Sequence, residues 1–271
     1  MNEQSISVRH HEFEVDLLQG GTGKPVLFLH GISGLQWTPF LERLSGKHTV
    51  IAPRTPGFGE STGIELLDDV GDMVFFYLDL LDELNLHDLP LVGHSIGGMF
   101  AAELAAAQPD RFSHVILASS FGLWDTENPV TDLFAVSHTE LARCLYADPE
   151  KKEAVAVATA PEARMTEVDP DTEDGKATIK YLVERAKSMS TAAKYLWPIP
   201  NRGLRKRLHR VQQPGLVIWG ESDGIIPPTY AQRFTAQMEN ATAHIVPNAA
   251  HMVIDEQPDH VADLIENLLS S

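Results

Sequence analysis

The chain of 271 residues has a single cysteine, Cys144, so no intrachain disulfide can form. That usage fits a reducing compartment. Basic residues are also scarce: 21 Lys and Arg stand against 38 Asp and Glu, a formal charge of −17. Such a chain repels phosphate backbones and anionic lipid surfaces, so no nucleic-acid or membrane partner is expected. Long apolar runs are missing, and nothing approaches the roughly 18 to 20 residues a membrane span needs. The N-terminus lacks a basic segment followed by an apolar run, so no signal peptide and a cytoplasmic location are expected. No repeat and no low-complexity tract occurs. The length suffices for one large domain with a sizeable core, acting on a small molecule as a monomer or homodimer.

Short apolar runs rich in β-branched residues are present, each closed by a turn signal. They are "PVLFLHG" (25–31), "TVIAPR" (49–54), "LPLVGHS" (89–95), "HVILASS" (114–120), "GLVIWG" (215–220) and "AHIVPN" (243–248). Near-continuous apolar strands of this length belong in a parallel sheet buried on both faces. Helical patterns lie between them. Leu66, Val70, Met73, Tyr77, Leu80 and Leu84 recur at three- and four-residue steps. Residues 96–108, rich in alanine and glycine, can pack close under a sheet, and Pro109 ends them. Residues 5–23 read as an antiparallel hairpin. The expected fold class is α/β, a mostly parallel doubly wound central sheet. Between 120 and 215 lie roughly 90 residues without a strand signal, too many for a loop. They read as helices over 131–147, 150–158 and 173–196, an inserted helical cap. The expected domains are therefore a core of 1–120 with 212–271 and a cap of 121–211.

Gly93-His94-Ser95-Ile96-Gly97 fits G-x-S-x-G between a strand and a helix. A serine presented at a sheet's C-terminal edge sits on a sharp turn, where side chains two residues away on either side would collide. The helix that follows favours negative charge at its N-terminus. A serine hydroxyl needs a base, and the base needs an orienting acid. Behind such a turn these follow in the order acid, then histidine, on loops after later strands. "WGESDGIIPP" offers Asp223, and "VPNAAHMVID" offers His251. Glu221 is the rival acid, closer to the strand end. An oxyanion needs backbone N–H donors. Ile96 supplies one, and Ile32 in "FLHGISG" the other. His30 reads as a brace for that loop, and His94 as a packed side chain.

With those motifs in view, the sequence resembles the α/β-hydrolase fold family, in its capped, serine-nucleophile form. The resemblance rests on "HGISG", "APRTPGFGES", "GHSIGG", "WGESDGIIP" and "NAAHMV" and covers nearly the whole chain. It implies a cofactor-free serine hydrolase acting on an ester or related acyl bond of a small, mostly apolar substrate. Its catalytic residues would be Ser95, Asp223 and His251. Where the family usually carries an acid before the P-G turn, this chain has Arg54, read as a local surface change. Related capped families hydrolyse C–C bonds but typically carry a longer "GPG" loop where this chain has "GISG". Lactonase and perhydrolase activities use the same machinery. Epoxide hydrolases and haloalkane dehalogenases need a carboxylate in place of Ser95. A slow-turnover ligand receptor is the non-enzymatic alternative.

A pocket under a cap is where substrate shape is read. Candidate lining residues are Trp37, Phe40, Trp124, Phe134, Tyr146, Trp197 and Met252. No metal site is expected. "HHE" (10–12) lies in an expected strand, where neighbours face opposite ways. "DPDTEDG" has Asp174 where a calcium loop needs glycine and Lys180 where it needs glutamate. "GGTGKP" lacks the spacing of a phosphate loop and reads as a turn. The basic run 202–210 reads as an amphipathic helix with a solvated face.

Overall fold

The computed structural model describes residues 1–159, 168–197, 199 and 203–270. Eight strands form one sheet in the order β1-β2-β4-β3-β5-β6-β7-β8. They are β1 (Asn2–Val8), β2 (Phe13–Gly20), β3 (Pro25–Leu29), β4 (Thr49–Pro53), β5 (Leu89–His94), β6 (Phe112–Ala118), β7 (Gly215–Gly220) and β8 (Ala241–Val246). The first two pair antiparallel, and β2 joins β4 antiparallel. Every other pairing is parallel.

The apolar runs are continuous because both faces of the sheet are covered. Val26, Phe28, Val92, Ile116 and Ile218 face a layer that holds α1 (Pro39–Ser45) and α9 (Pro258–Leu269). Their neighbours Leu27, Leu29, Leu91, Val115, Leu117 and Val217 face the opposite layer. That layer holds α2 (Val70–Glu83), α3 (Ile96–Ala107) and α7 (Thr229–Thr235). The period of two along each strand thus sorts one apolar run into two cores. Leu66 falls outside α2 and is 46% exposed, because Asp69 caps the helix by accepting the N–H of Asp72 at 3.1 Å.

Between β6 and β7 the chain leaves the sheet and forms α4 (His138–Leu145), α5 (Lys152–Ala158) and α6 (Glu173–Leu196). The last matches its expected bounds. The acidic stretch before it serves as its start, with Thr172 accepting the N–H of Gly175 at 3.0 Å. The helix expected over 131–147 begins only at 138. Asp132 takes the N–H of Phe134 at 3.0 Å and Ser137 caps α4, so local side-chain acceptors compete with the earlier turns. Asp148 does the same to Glu150 before α5.

The basic run is not the expected amphipathic helix. Within its described part it forms two 3-10 turns, Leu204–Lys206 and Leu208–Arg210, with Leu204 and Leu208 buried. Arg207 grips Glu103 of α3 with two bonds of 2.5 and 2.6 Å, and Arg210 donates to the carbonyl of Ala106 at 2.7 Å. These anchors to α3 outweigh regular helix geometry. Arg202 lies outside the described residues.

His10 and His11 are also placed differently. They lie in the tight turn between β1 and β2, at φ 54° and 71°, rather than in a strand. Val8 and Phe13 form the last pair of the hairpin, so residues 9–12 make the reversal. Among the described residues no group of three or more His, Cys, Asp or Glu could hold a metal ion. No helix among them is long and apolar enough to cross a membrane.

Candidate active site

β5 delivers His94 and then turns sharply at Ser95, which adopts φ 60° and ψ −121° before α3 begins at Ile96. A non-glycine residue in that region carries roughly 1–3 kcal/mol of strain, so the surroundings must hold it. They do. The Ser95 N–H extends the sheet ladder to Ala118 at 2.9 Å, and its carbonyl accepts from Gly98 and Phe121 at 3.1 Å each. A Cβ at Gly93 would press on the backbone of Gly97, and one at Gly97 on the backbone oxygens of Leu29 and His30. The two glycines are therefore demanded by close approach of chain to chain.

Parallel neighbours β7 and β8 end at the same edge and deliver the other two groups. Asp223 follows β7. Its Oδ1 accepts the N–H groups of Ile225 and Ile226, both at 2.9 Å, which aims the carboxylate at His251. His251 follows β8, with Nδ1 at 3.0 Å from Asp223 Oδ2 and Nε2 at 2.9 Å from Ser95 Oγ. A carboxylate can only accept, so Nδ1 carries the proton and Nε2 receives the serine hydroxyl. All three side chains are buried, and Glu221 points to solvent.

Two further histidines shape the site. Thr55 N–H donates to His30 Nε2 at 3.1 Å, so the His30 Nδ1–H donates to the Gly31 carbonyl at 2.7 Å. Burial lowers the His30 pKa to about 4, so the ring is a neutral brace for the turn. That turn closes with Gly34 N–H on the Gly31 carbonyl at 3.1 Å. It lies against the serine: a Cβ built on Gly31 would stand 3.1 Å from Ser95 Cβ. Ile32 follows immediately. Ile96, as the first residue of α3, has an N–H without an intrahelical acceptor.

His94 packs, as its surroundings suggested, and also does more. Its Nε2–H donates to the His251 carbonyl at 2.9 Å, and the two rings lie 5.5 Å apart. Burial lowers its pKa to about 3, so the ring is neutral. The residue beside the serine thus fastens the loop of the histidine.

The aromatic candidates scatter. Phe40 is not at the site: it is fully buried under α1, with its ring 5.9 Å from Phe28 on the far face of the sheet. It is the second residue of α1, whose inward face serves the core. Trp37 donates to Glu42 at 2.6 Å and lines a groove of about 420 Å³ with Arg54, Phe58 and Glu184. Arg54 pairs there with Glu3 at 3.0 Å. Trp124 packs on the main core. Phe134 and Trp197 meet edge to face at 6.2 Å, with Trp197 53% exposed. Tyr146 and Met252 pack together with Ala154 where the insertion meets the histidine loop. An aromatic missed by sequence reading is Phe121, edge-on to His251 at 5.9 Å. Its position just past β6, the strand beside β5, was the available signal.

A mostly parallel sheet with a strained serine turn after β5 and an acid and a histidine after β7 and β8 defines the hydrolase class of α/β protein. The chain belongs to the alpha/beta hydrolase fold family, whose model matches residues 24–258. It is 26% identical over 256 residues to an uncharacterized hydrolase of Bacillus subtilis (strain 168), YugF, covering 88% of each chain. It is also 26% identical over 271 residues to the 2-hydroxy-6-oxo-6-phenylhexa-2,4-dienoate hydrolase of Burkholderia cepacia, covering 96% of this chain and 91% of that one. A solved meta-cleavage product hydrolase of Pseudomonas fluorescens IP01 superposes with a TM-score of 0.72 at 19% identity. That match covers 98% of this chain and 97% of the other, and at this identity it speaks to the fold. Family membership supports an enzyme with hydrolase activity.

Proposed function

We propose that the protein is a serine hydrolase that cleaves an ester or related acyl bond through an acyl-enzyme. The observation that carries this reading is the unbroken chain of contacts from Ser95 Oγ to His251 to Asp223, at 2.9 and 3.0 Å. Ser95 attacks the carbonyl while His251 Nε2 takes its proton. The proton then passes to the leaving alcohol. Asp223 holds the tautomer and stabilises the imidazolium. The N–H groups of Ile32 and Ile96 receive the oxyanion. Water activated by His251 releases the acid. The insertion acts as a cap that admits a small, mostly apolar substrate.

The test is initial rates on p-nitrophenyl esters of increasing acyl length, with wild type and Ser95→Ala side by side. The expected result is activity in the wild type and a loss of roughly 10³-fold or more in the variant. Near wild-type turnover by the variant would contradict the reading.

A second reading, C–C bond hydrolysis, draws on the Burkholderia relative and on a Comamonas testosteroni hydrolase of 2-hydroxy-6-oxononadienedioate, 25% identical over 270 residues. Turnover of a 2-hydroxy-6-oxo-dienoate with inert simple esters would favour it. Tight ligand binding with negligible turnover of either would favour a receptor.

A further inference from the structure

The insertion touches the loops of both Asp223 and His251. Thr131 donates its N–H to the Ile225 carbonyl and its hydroxyl to the Gly224 carbonyl, each at 2.8 Å. Gly224 N–H donates to the Cys144 carbonyl at 3.1 Å, and Met252 N–H to the Leu145 carbonyl at 3.0 Å. Gly224 lies so close that a Cβ there would stand 2.7 Å from Cys144 Cα. The end of α4 is thus packed against the acid loop on one side and the histidine loop on the other.

One side chain bridges the second of these joints. Glu256, the last residue of the short helix α8 (Val253–Glu256), accepts the N–H of Ala250 on Oε2 at 2.7 Å. Its Oε1 accepts the N–H of Ala147 at 2.9 Å. Ala250 precedes His251, and Ala147 lies just past α4. Together with His94 on the His251 carbonyl and Leu145 on the Met252 N–H, this fastens the backbone both before and after His251. A carboxylate serving two backbone amides forms charge-assisted bonds of fixed direction. Losing it strands both amides at a partly buried joint.

We propose that Glu256 is a positioning residue: by tying the histidine loop to the insertion, it keeps the His251 imidazole in line with Ser95. The insertion is then part of the catalytic frame as well as a cover over it. The inference rests on the proposed roles of Ser95 and His251. An imidazole displaced by about 1 Å can cost up to 10²-fold in rate.

The experiment measures the rate at which a fluorophosphonate labels Ser95, together with kcat and KM on an ester. The proteins are wild type, Glu256→Gln, Ala147→Pro and Lys151→Ala. Gln offers one acceptor and sets its NH2 against the other N–H. Ala147→Pro deletes the insertion-side donor and leaves Glu256 in place. The preceding Tyr146 is already extended, at φ −126° and ψ 135°, as a proline requires of its neighbour. Lys151 donates to the Asp255 carbonyl at 3.1 Å, at the same joint but away from the histidine loop. The expected result is a fall of about tenfold in labelling rate and kcat for Glu256→Gln, with KM within about twofold. Ala147→Pro falls severalfold, and Lys151→Ala matches wild type. Assays run well below each variant's melting temperature separate alignment from stability. If one of the two alignment variants does not fold, the other decides. The proposal is overturned if a folded Glu256→Gln or Ala147→Pro labels at the wild-type rate. It is also overturned if Lys151→Ala loses as much as they do. Failure of wild type to label at Ser95 at all marks failure of the underlying reading and removes this one with it.

Discussion

The sheet edge that carries Ser95, Asp223 and His251 and the insertion beside it are built on different principles. At the edge, every conformation is imposed from several directions. Ser95 is held at positive φ by the ladder and by its own carbonyl, and Asp223 by two amides. In the insertion, only five of the 24 residues of α6 are buried, and Ile179, Tyr181 and Val183 are each more than 40% exposed. Firm contacts flank that exposed stretch on both sides. Residues 131–147 meet the acid and histidine loops, and Thr191 and Lys194 donate to Gly57 and Ile64 at 3.1 and 3.0 Å. A frame fixed this tightly can hold reacting groups within tenths of an ångström. A surface attached at its ends can change composition without disturbing them.

Substitutions ranked by effect sharpen this contrast. Asp223→Asn keeps the shape but offers His251 a donor where it needs an acceptor, and kcat should fall by about 10⁴-fold. Steady-state kinetics on the best ester measures it, and a loss below tenfold would contradict the role of the carboxylate. Gly97→Ala drives a Cβ into the backbone of β3 and the residue after it. It should destabilise the fold by on the order of 3 kcal/mol, read by urea unfolding.

Asp255 lies at the insertion joint with one buried oxygen unpartnered, and burial raises its pKa to about 6. A carboxyl with a raised folded-state pKa favours the protonated form. Its stabilising effect is present below the unfolded value near 3.8 and is lost as pH rises through about 6. Asp255→Asn should therefore stabilise the protein by on the order of 2 kcal/mol at pH 8. The gain should vanish below pH 4, as thermal melts across pH would show. Val183→Ser, on the exposed face of α6, should shift stability by less than about 0.5 kcal/mol. A large loss on denaturation would mean that this face is covered.

The same contrast governs what could be read from sequence. Strands buried on both faces leave uninterrupted apolar runs, and the serine turn needs two glycines at fixed spacing, so both signals are local. Asp223 and His251 were legible because each closes a strand of the same sheet. Phe40 was not, because an apolar residue after a turn reads alike whichever face of the sheet it meets. The basic run misled because the pull on Arg207 comes from Glu103, a hundred residues away. The bond from His94 to His251 and the bridge made by Glu256 had no sequence signal, since each depends on chain segments brought together by the fold.

The most direct test of the central claim is to expose the protein to a fluorophosphonate and map the adduct by peptide mass spectrometry, with His251→Ala in parallel. Rapid modification of Ser95 alone is expected in the wild type, slowed by at least about 10²-fold in the variant. An unmodified Ser95, or equal rates in the two proteins, would contradict it.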